Sequence, residues 1–243
     1  MFEKIKYLFR KYALLGGNVY CNICERKYLT FLPSGDELKA HSKCPGCSSI
    51  DRHRQLYSLT TAFIKEKRSK INLLHIAPQH ALATRYIKMP LVNYTAIDKF
   101  EKGYKYPHYV KQMDIGNLQF DENSFDLLIC SHVLEHVIDD TLALQNFMRV
   151  LKPGGVGFLV VPYFSNLTKT YEDLNANSAE TRLLLYGQHD HVRKYGCDFI
   201  NKLSAIGWVA EMIDFSKFYS ETECIKLGYL NAEPIFKVTK PNN

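Results

Sequence analysis

The sequence predicts an α/β fold with a mostly parallel sheet, and residues 123–163 are the main reason. Residues 124–130 form an apolar run as short as a buried strand, and residues 142–151 repeat apolar side chains at helical spacing. Residues 157–161 are a second apolar, β-branched run. Strand, helix and strand in this order build parallel sheets, which are buried on both faces. We therefore expect a three-layer sandwich.

Length and composition narrow the classes of protein. The 243 residues suffice for one large domain and a small appendage, and 46% of them are hydrophobic. The net charge of +6 is a mild excess without a clustered basic stripe, which argues against a strong nucleic-acid binder. No apolar run reaches the roughly 18 residues of a membrane span.

The N-terminal segment and the cysteines suggest a cytoplasmic protein. Residues 1–17 mix basic and apolar side chains, so they do not resemble a signal peptide. Residues 2–12 instead carry an apolar helical face. We expect this helix to pack against the protein, and contact with a membrane or a partner is the alternative. An odd number of cysteines, seven, does not form a disulfide framework and is typical of a reducing compartment.

Two Cys-x2-Cys pairs predict a small zinc ribbon before the main domain. The pairs are Cys21 with Cys24 and Cys44 with Cys47, nineteen residues apart. Four thiolates from two tight turns complete a closed tetrahedral zinc site, which has a structural role. A redox pair or four unrelated thiols would not explain the doubled spacing. The other cysteines have no such spacing, and we interpret them as ordinary buried thiols.

The chain after the ribbon alternates helices and strands. A helix is expected at residues 55–67, and residues 52–54, Arg-His-Arg, are interpreted as its solvated start. A site for an anionic ligand and a contact of the zinc module are the alternatives. Strands are expected at residues 71–76, 92–97, 109–113, 208–215 and 236–239, with a helix between the first two. Asp98 ends the second of these strands, where an acidic side chain commonly binds ribose hydroxyls.

Residues 112–162 contain motifs of a known family. The sequence reads SFDLLIC, then LEHV, then LKPGG before the last apolar run. This pattern resembles a class I S-adenosylmethionine-dependent methyltransferase over most of residues 70–240. The chain also resembles a bacterial subgroup that has a CPxC zinc module followed by RHR, an LHIAP loop and GQHDHVRKYG. The resemblance implies a Rossmann-like, seven-stranded sheet with the last strand antiparallel.

The resemblance also implies where the cofactor binds. Asp98 would bind the ribose, Asp114 and Ile115 would border the adenine, and Ser131 and His132 would close the site. The residues that would face the methionine end are His75, Ala77, Pro78 and Gln79. The family normally has glycines here, which permit positive φ and a close approach to the ligand. We interpret this loop as a variant site, and loss of cofactor binding is the alternative.

Residues 163–196 are a polar insert after the fifth strand, where it would cover the ligand-binding edge. Its candidate substrate-binding residues are Tyr163, Arg182, Gln188, Asp190, Arg193 and Tyr195. His189 and His191, with His136 before the insert, are candidate general bases, because histidine titrates near neutral pH. A solvated loop is the alternative for the insert, and a satisfied helix-start residue is the alternative for His136.

These observations together predict an enzyme of two domains. Residues 1–52 would contain the N-terminal helix and the zinc ribbon, and residues 53–243 the methyltransferase domain. The expected reaction is methyl transfer from S-adenosylmethionine to a hydroxyl group of a small molecule, such as a sugar or a biosynthetic intermediate. A nucleic-acid methyltransferase that uses the ribbon for binding and a non-catalytic binding protein are the alternatives.

Overall fold

The structure, a computed structural model, describes residues 12–34, 39–229 and 233–242. The predicted helix at residues 2–12 lies almost wholly outside the described residues. The chain divides into two compact units, each assembled from separate segments. The first unit comprises residues 1–69, 79–91 and 214–232, and the second comprises residues 70–78, 92–213 and 233–243. None of the described helices is long and apolar enough to cross a membrane.

The first unit contains two small β-hairpins and helices. Strands β1 (Leu15–Cys21) and β2 (Arg26–Tyr28) are antiparallel, as are β3 (Leu32–Ser34) and β4 (Lys39–Lys43). The helices are α1 (Asp51–Lys67), α2 (His80–Tyr86) and, later in the chain, a helix at Glu221–Leu227. A 3-10 turn at Phe215–Lys217 belongs to the same unit.

Arg54 holds three segments of the first unit together, which corrects the prediction of a solvated helix start. The guanidinium is fully buried and donates hydrogen bonds to the carbonyls of Ser42, Ser49, Leu227 and Gly228 at 2.7–2.9 Å. Burial lowers the pKa of Arg54 from its usual value. A cation can occupy such a position only when carbonyl oxygens replace its water, as they do here.

The second unit is built on a seven-stranded sheet. Its strands are β5 (Ile71–Ile76), β6 (Val92–Asp98), β7 (Val110–Gln112), β8 (Phe125–Ser131), β9 (Leu151–Val160), β10 (Val209–Ile213) and β11 (Ile235–Thr239). Their order across the sheet is β10-β11-β9-β8-β5-β6-β7. Only β11 is antiparallel to its neighbours, β9 and β10, among these strands. The predicted seven-stranded, mostly parallel α/β fold is confirmed.

The helices of the second unit are α3 (Asp140–Val150), α4 (Ala179–Tyr186) and α5 (Phe199–Ile206). Side chains of α3 and α5 belong to the same buried apolar cluster as those of β5, β8 and β9. Two 3-10 turns, at Ile115–Asn117 and Leu134–His136, follow β7 and β8. They place polar residues directly after the carboxyl ends of parallel strands.

The LKPGG segment begins a strand directly after the helix that the sequence predicted at residues 142–151. Helix α3 ends at Val150, and β9 begins at Leu151. Lys152 donates to both carboxylate oxygens of Asp126 at 2.8 and 2.9 Å, which fixes the start of the strand beside β8. Gly154 has a φ of 69°, and a Cβ on Gly155 would lie 2.7 Å from the Lys152 carbonyl oxygen. The two glycines therefore permit a tight bulge at the start of β9.

Candidate functional site

The chain order of the sheet creates a switch point between β5 and β8. From β5 the chain proceeds outward through β6 and β7 and then returns to β8 on the other side. Ligands of open α/β sheets bind beyond the carboxyl ends of strands at such a point. A cavity of about 620 Å³ lies there, within the second unit. Its size is in the usual range for a small-molecule site.

The cavity brings together many of the residues that the sequence singled out. It is lined by the ends of β5 and β6 and by the segments that follow β7 and β8. The predicted site residues in its lining are Ala77, Asp98, Asp114, Ile115, His132, His136, Arg182 and Asp190.

Two carboxylates mark the β6–β7 side of the cavity. Asp98 ends β6, and its partial burial raises the pKa of its carboxyl group. Its Oδ1 accepts a hydrogen bond from the Phe100 amide at 3.4 Å. Asp114 caps the following 3-10 turn, because its Oδ1 accepts from the Gly116 amide at 2.8 Å. Its other oxygen lies 3.5 Å from the Lys99 ammonium.

The first loop adopts glycine-like geometry without a glycine. Ala77 has a φ of 44°, and its amide donates to the Ile97 carbonyl at 2.8 Å. His75, before it, is fully buried, with Nδ1 3.0 Å from the Tyr94 hydroxyl. Gln79 precedes α2 as its N-cap residue and falls in the first unit. Four residues were predicted to face the cofactor in this loop: His75, Ala77, Pro78 and Gln79. Ala77 is the one that lines the cavity, and His75 is buried within β5.

A cluster of histidines and carboxylates forms another wall. We call His132, Glu135, His136, Asp190 and His191 the histidine cluster. His132 Nδ1 lies 3.0 Å from Glu135 Oε1, and its Nε2 lies 3.1 Å from Glu233 Oε2. His136 Nδ1 lies 3.2 Å from Asp190 Oδ2. The rings of His136 and His191 meet edge to face with centroids 4.7 Å apart. Burial lowers the pKa of His191, which favours its neutral form.

Arg193 connects the insert to the turn after β8. Its side chain is buried, and it donates to the carbonyls of Leu134, Val137 and Ile138. It also pairs with Glu172. The guanidinium predicted to bind substrate therefore holds two loops in register.

The remaining insert residues divide between the interior and the surface. Tyr195 is fully buried, and its hydroxyl donates to Asp140 Oδ2 at 2.8 Å. The ring of Tyr163 packs against Phe236, and its hydroxyl donates to Cys197 Sγ at 3.4 Å. Ser131 is buried at the end of β8, whereas Gln188 and His189 are exposed.

One side of the cavity consists of residues that the sequence patterns did not single out. The segment between β6 and β7 contributes Lys99, Glu101, Tyr104 and Tyr106 to the lining. The rings of Phe100 and Tyr106 stack with centroids 4.0 Å apart, which orders the segment. The aromatic sequence GYKYPHY at residues 103–109, directly after a strand end, is the signal that could have identified it.

The four paired cysteines meet in the first unit. Cys21 Sγ lies 3.6 Å from Cys47 Sγ, and Cys24 Sγ lies 3.7 Å from Cys44 Sγ. A zinc–sulfur bond of about 2.3 Å in a tetrahedron implies sulfur–sulfur distances of about 3.8 Å. A Cβ on Gly46 would lie 1.7 Å from the Tyr28 hydroxyl, so only glycine fits in the second turn. The geometry fits a four-thiolate metal site.

Comparison with known proteins relates the central part of the chain to a known family. Residues 75–159 match the family described as a methyltransferase domain. This segment is similar to methyltransferase domains. The matched residues include the carboxyl end of β5 and the whole of β6 and β8, and the carboxyl ends of these strands border the cavity. The cavity is therefore at the position where this fold binds ligands.

Curated relatives are similar to the chain over part of their length. Ubiquinone biosynthesis O-methyltransferase of Colwellia psychrerythraea is 32% identical over 142 residues, which are 57% of this chain and 46% of that protein. Ubiquinone/menaquinone biosynthesis C-methyltransferase UbiE of Vibrio vulnificus is 41% identical over 69 residues, 27% of this chain and 26% of that protein. The chain thus spans less than half the length of these relatives. Among solved structures, the YcgJ protein of Bacillus subtilis is 17% identical, with 77% of this chain and all of that chain covered and a TM-score of 0.48.

Proposed function

We propose that the chain transfers a methyl group from S-adenosylmethionine to a hydroxyl group of a small molecule. The observation that carries this proposal is the cavity at the switch point. Within a segment similar to methyltransferase domains, it joins a ribose-type carboxylate, Asp98, to a histidine-rich wall in one cavity.

The β6–β7 side of the cavity fits a nucleoside. Asp98 presents a partly buried carboxylate, which can accept two hydrogen bonds from a ribose diol. Met113 and Ile115 supply an apolar surface beside it, suited to the adenine base. The left-handed turn at Ala77 lets the backbone approach the ligand closely, as a glycine would. The bound S-adenosylmethionine would supply an electrophilic methyl carbon, so the protein's main task is alignment and exclusion of water.

The histidine cluster would receive the acceptor. A hydroxyl group must lose its proton as it forms a bond to carbon, and histidine is a suitable base near neutral pH. His136 lines the cavity and is oriented by Asp190, and His191 contacts its ring. His189 is exposed and outside this contact, so we assign proton removal to His136 with His191. Arg182, also in the lining, would bind an anionic or polyhydroxylated acceptor.

The molecule that accepts the methyl group is proposed from the cavity lining and from the names of the relatives. The names of two relatives are those of an O-methyltransferase and a C-methyltransferase of ubiquinone or menaquinone biosynthesis. Acceptors of that kind therefore join the sugars and biosynthetic intermediates that the sequence led us to expect. The cavity offers both apolar side chains, such as Val137 and Leu142, and polar ones for such molecules. We also propose that the four cysteines bind one structural zinc ion, since their spacing and geometry fit it.

A screen for S-adenosylmethionine consumption tests the activity. Candidate acceptors are sugars, nucleotide sugars, phenolic quinone precursors and RNA. With the acceptor in hand, His136→Ala should lower turnover by about 100- to 10,000-fold, the scale of a lost general base, while cofactor binding is retained. The control is His108→Ala, which removes an exposed histidine outside the cavity lining. Equal turnover of the His136 variant and wild type would contradict the assignment.

A further inference from the structure

We propose that Glu135, His136 and His191 bind a divalent metal ion beside the cavity. One donor atom of each residue lies within 4.8 Å of the others, which small side-chain movements would bring around one ion. Two imidazoles and one carboxylate are a common ligand set for divalent transition metals. The metal site is argued from the positions of these side chains. Its role in catalysis, in contrast, rests on the proposed methyl transfer.

Glu135 is the strongest sign that a cation is bound here. Its side chain is fully buried, and its Oε1 lies 3.0 Å from His132 Nδ1. Its Oε2 accepts no hydrogen bond from any residue in the described ranges. A buried carboxylate oxygen without a donor is costly, and a metal ion would satisfy it.

The ligands are held by neighbouring groups in the manner of metal sites. Asp190 binds Nδ1 of His136, which leaves Nε2 of that ring for an ion, and metal-bound histidines usually have such a carboxylate partner. The Val192 amide donates to the Glu135 carbonyl at 2.9 Å. This bond fixes the segment that carries His191 beside the turn that carries Glu135 and His136. The positions are therefore set before any ligand arrives.

The site is open toward the cavity. His136 and Asp190 line the cavity, so an acceptor oxygen or water could complete the coordination shell. Coordination lowers the pKa of a bound oxygen. The acceptor's O–H bond would break and its proton would pass to water. The oxygen would then bond to the methyl carbon, while the electron pair of the broken carbon–sulfur bond stays on sulfur. With the metal bound, His136 and His191 would act as its ligands, and the Lewis acid would replace the direct proton removal assigned to these two residues under the proposed function.

Binding of Mn²⁺ to the full chain loaded with a single equivalent of zinc tests the site, because the four thiolates take up that equivalent and leave the Glu135–His136–His191 group open. Manganese prefers oxygen and nitrogen ligands and does not displace zinc from thiolates, so its electron paramagnetic resonance signal reports this site alone. We expect one bound ion per chain and loss of binding in Glu135→Gln and in His136→Ala. Asp190→Asn should weaken binding by about 10- to 100-fold, the usual cost of removing a carboxylate that orients a ligand. His108→Ala should bind as wild type does.

The outcomes separate this proposal from the proposed function. The assay contains neither cofactor nor acceptor, so it does not depend on methyl transfer. Circular dichroism checks that each variant folds. Because the His136 side chain is partly exposed, His136→Ala should fold even if replacement of the buried Glu135 prevents folding. Absence of bound Mn²⁺ at millimolar metal, or equal binding by wild type and both ligand variants, would overturn the site. A chain that binds Mn²⁺ through these residues but methylates no acceptor would support the site and refute the proposed function.

Discussion

At the scale of single residues, the cavity is bordered by two strained backbone positions. Ala77 and His132 have φ values of 44° and 56°, at the ends of β5 and β8. The left-handed region costs a residue with a Cβ about 1–2 kcal/mol, and strained positions cluster at functional sites. The sequence showed that glycines were missing from the first loop, but it could not show that alanine adopts the glycine conformation. That depends on the hydrogen bond from the Ala77 amide to Ile97, a residue of another strand.

Replacing Ala77 with glycine should stabilise the protein. Relief of the left-handed conformation is worth about 1–2 kcal/mol, and the greater freedom of glycine in the unfolded chain offsets about 0.4–1 kcal/mol of it. We expect the free energy of unfolding in urea to rise by about 0.5–1 kcal/mol. Ala205→Gly, at an exposed position of α5, is the control and should destabilise by about 0.5–1 kcal/mol. A loss of stability in Ala77→Gly would show that Ala77 is not strained.

At the scale of elements, the insert after β9 is positioned by the turn after β8. The sequence placed the insert at the ligand-binding edge and identified its polar residues. The sequence could not distinguish insert residues that bind a ligand from insert residues that hold the loop in place, because an arginine side chain can do either. Arg193 is buried among the carbonyls of residues 134–138, about 55 positions earlier in the chain. Such long-range pairing leaves no local pattern.

Removal of the Arg193 side chain should therefore affect stability as well as activity. Arg193→Ala leaves the carbonyls of Leu134, Val137 and Ile138 without their donor, whereas Asp140 keeps its contact with Lys202; an unsatisfied buried acceptor typically costs about 1–3 kcal/mol. Chemical denaturation measures this loss. Lys169→Ala, an exposed cation of the same insert, should change stability little. If Arg193→Ala were as stable as the control but had lost affinity for the acceptor, Arg193 would be a substrate-binding residue, as the sequence predicted.

At the scale of the whole molecule, the sequence predicted the class of fold but not its division into units. Strand–helix–strand patterning and the LEHV and LKPGG motifs are local, so they predicted the sheet from the sequence alone. The first unit instead joins residues 1–69 with residues 79–91 and 214–232. Arg54 donates to the Gly228 carbonyl across 174 positions of sequence, and periodicity cannot reveal such a pair.

The cysteine cluster should make the first unit dependent on zinc. Metal analysis of the purified chain should find about one zinc per molecule. Cys44→Ser should abolish zinc binding and lower the temperature of thermal unfolding, because the binding energy of a structural metal contributes to folding. Cys197→Ser, which changes an exposed cysteine outside the cluster, is the matched control. A zinc-free protein that unfolds like wild type, with all four thiols reactive, would contradict the zinc site.

Titration calorimetry with S-adenosylmethionine tests whether the cavity is the cofactor site. We expect that one molecule binds per chain and that Asp98→Ala weakens binding by about 1.5–3 kcal/mol, the scale of lost hydrogen bonds to a charged group. Asp126→Ala is the control, since that carboxylate pairs with Lys152 outside the cavity lining. Binding that is absent from wild type, or equal in wild type and Asp98→Ala, would contradict the assignment of the cavity as the cofactor site.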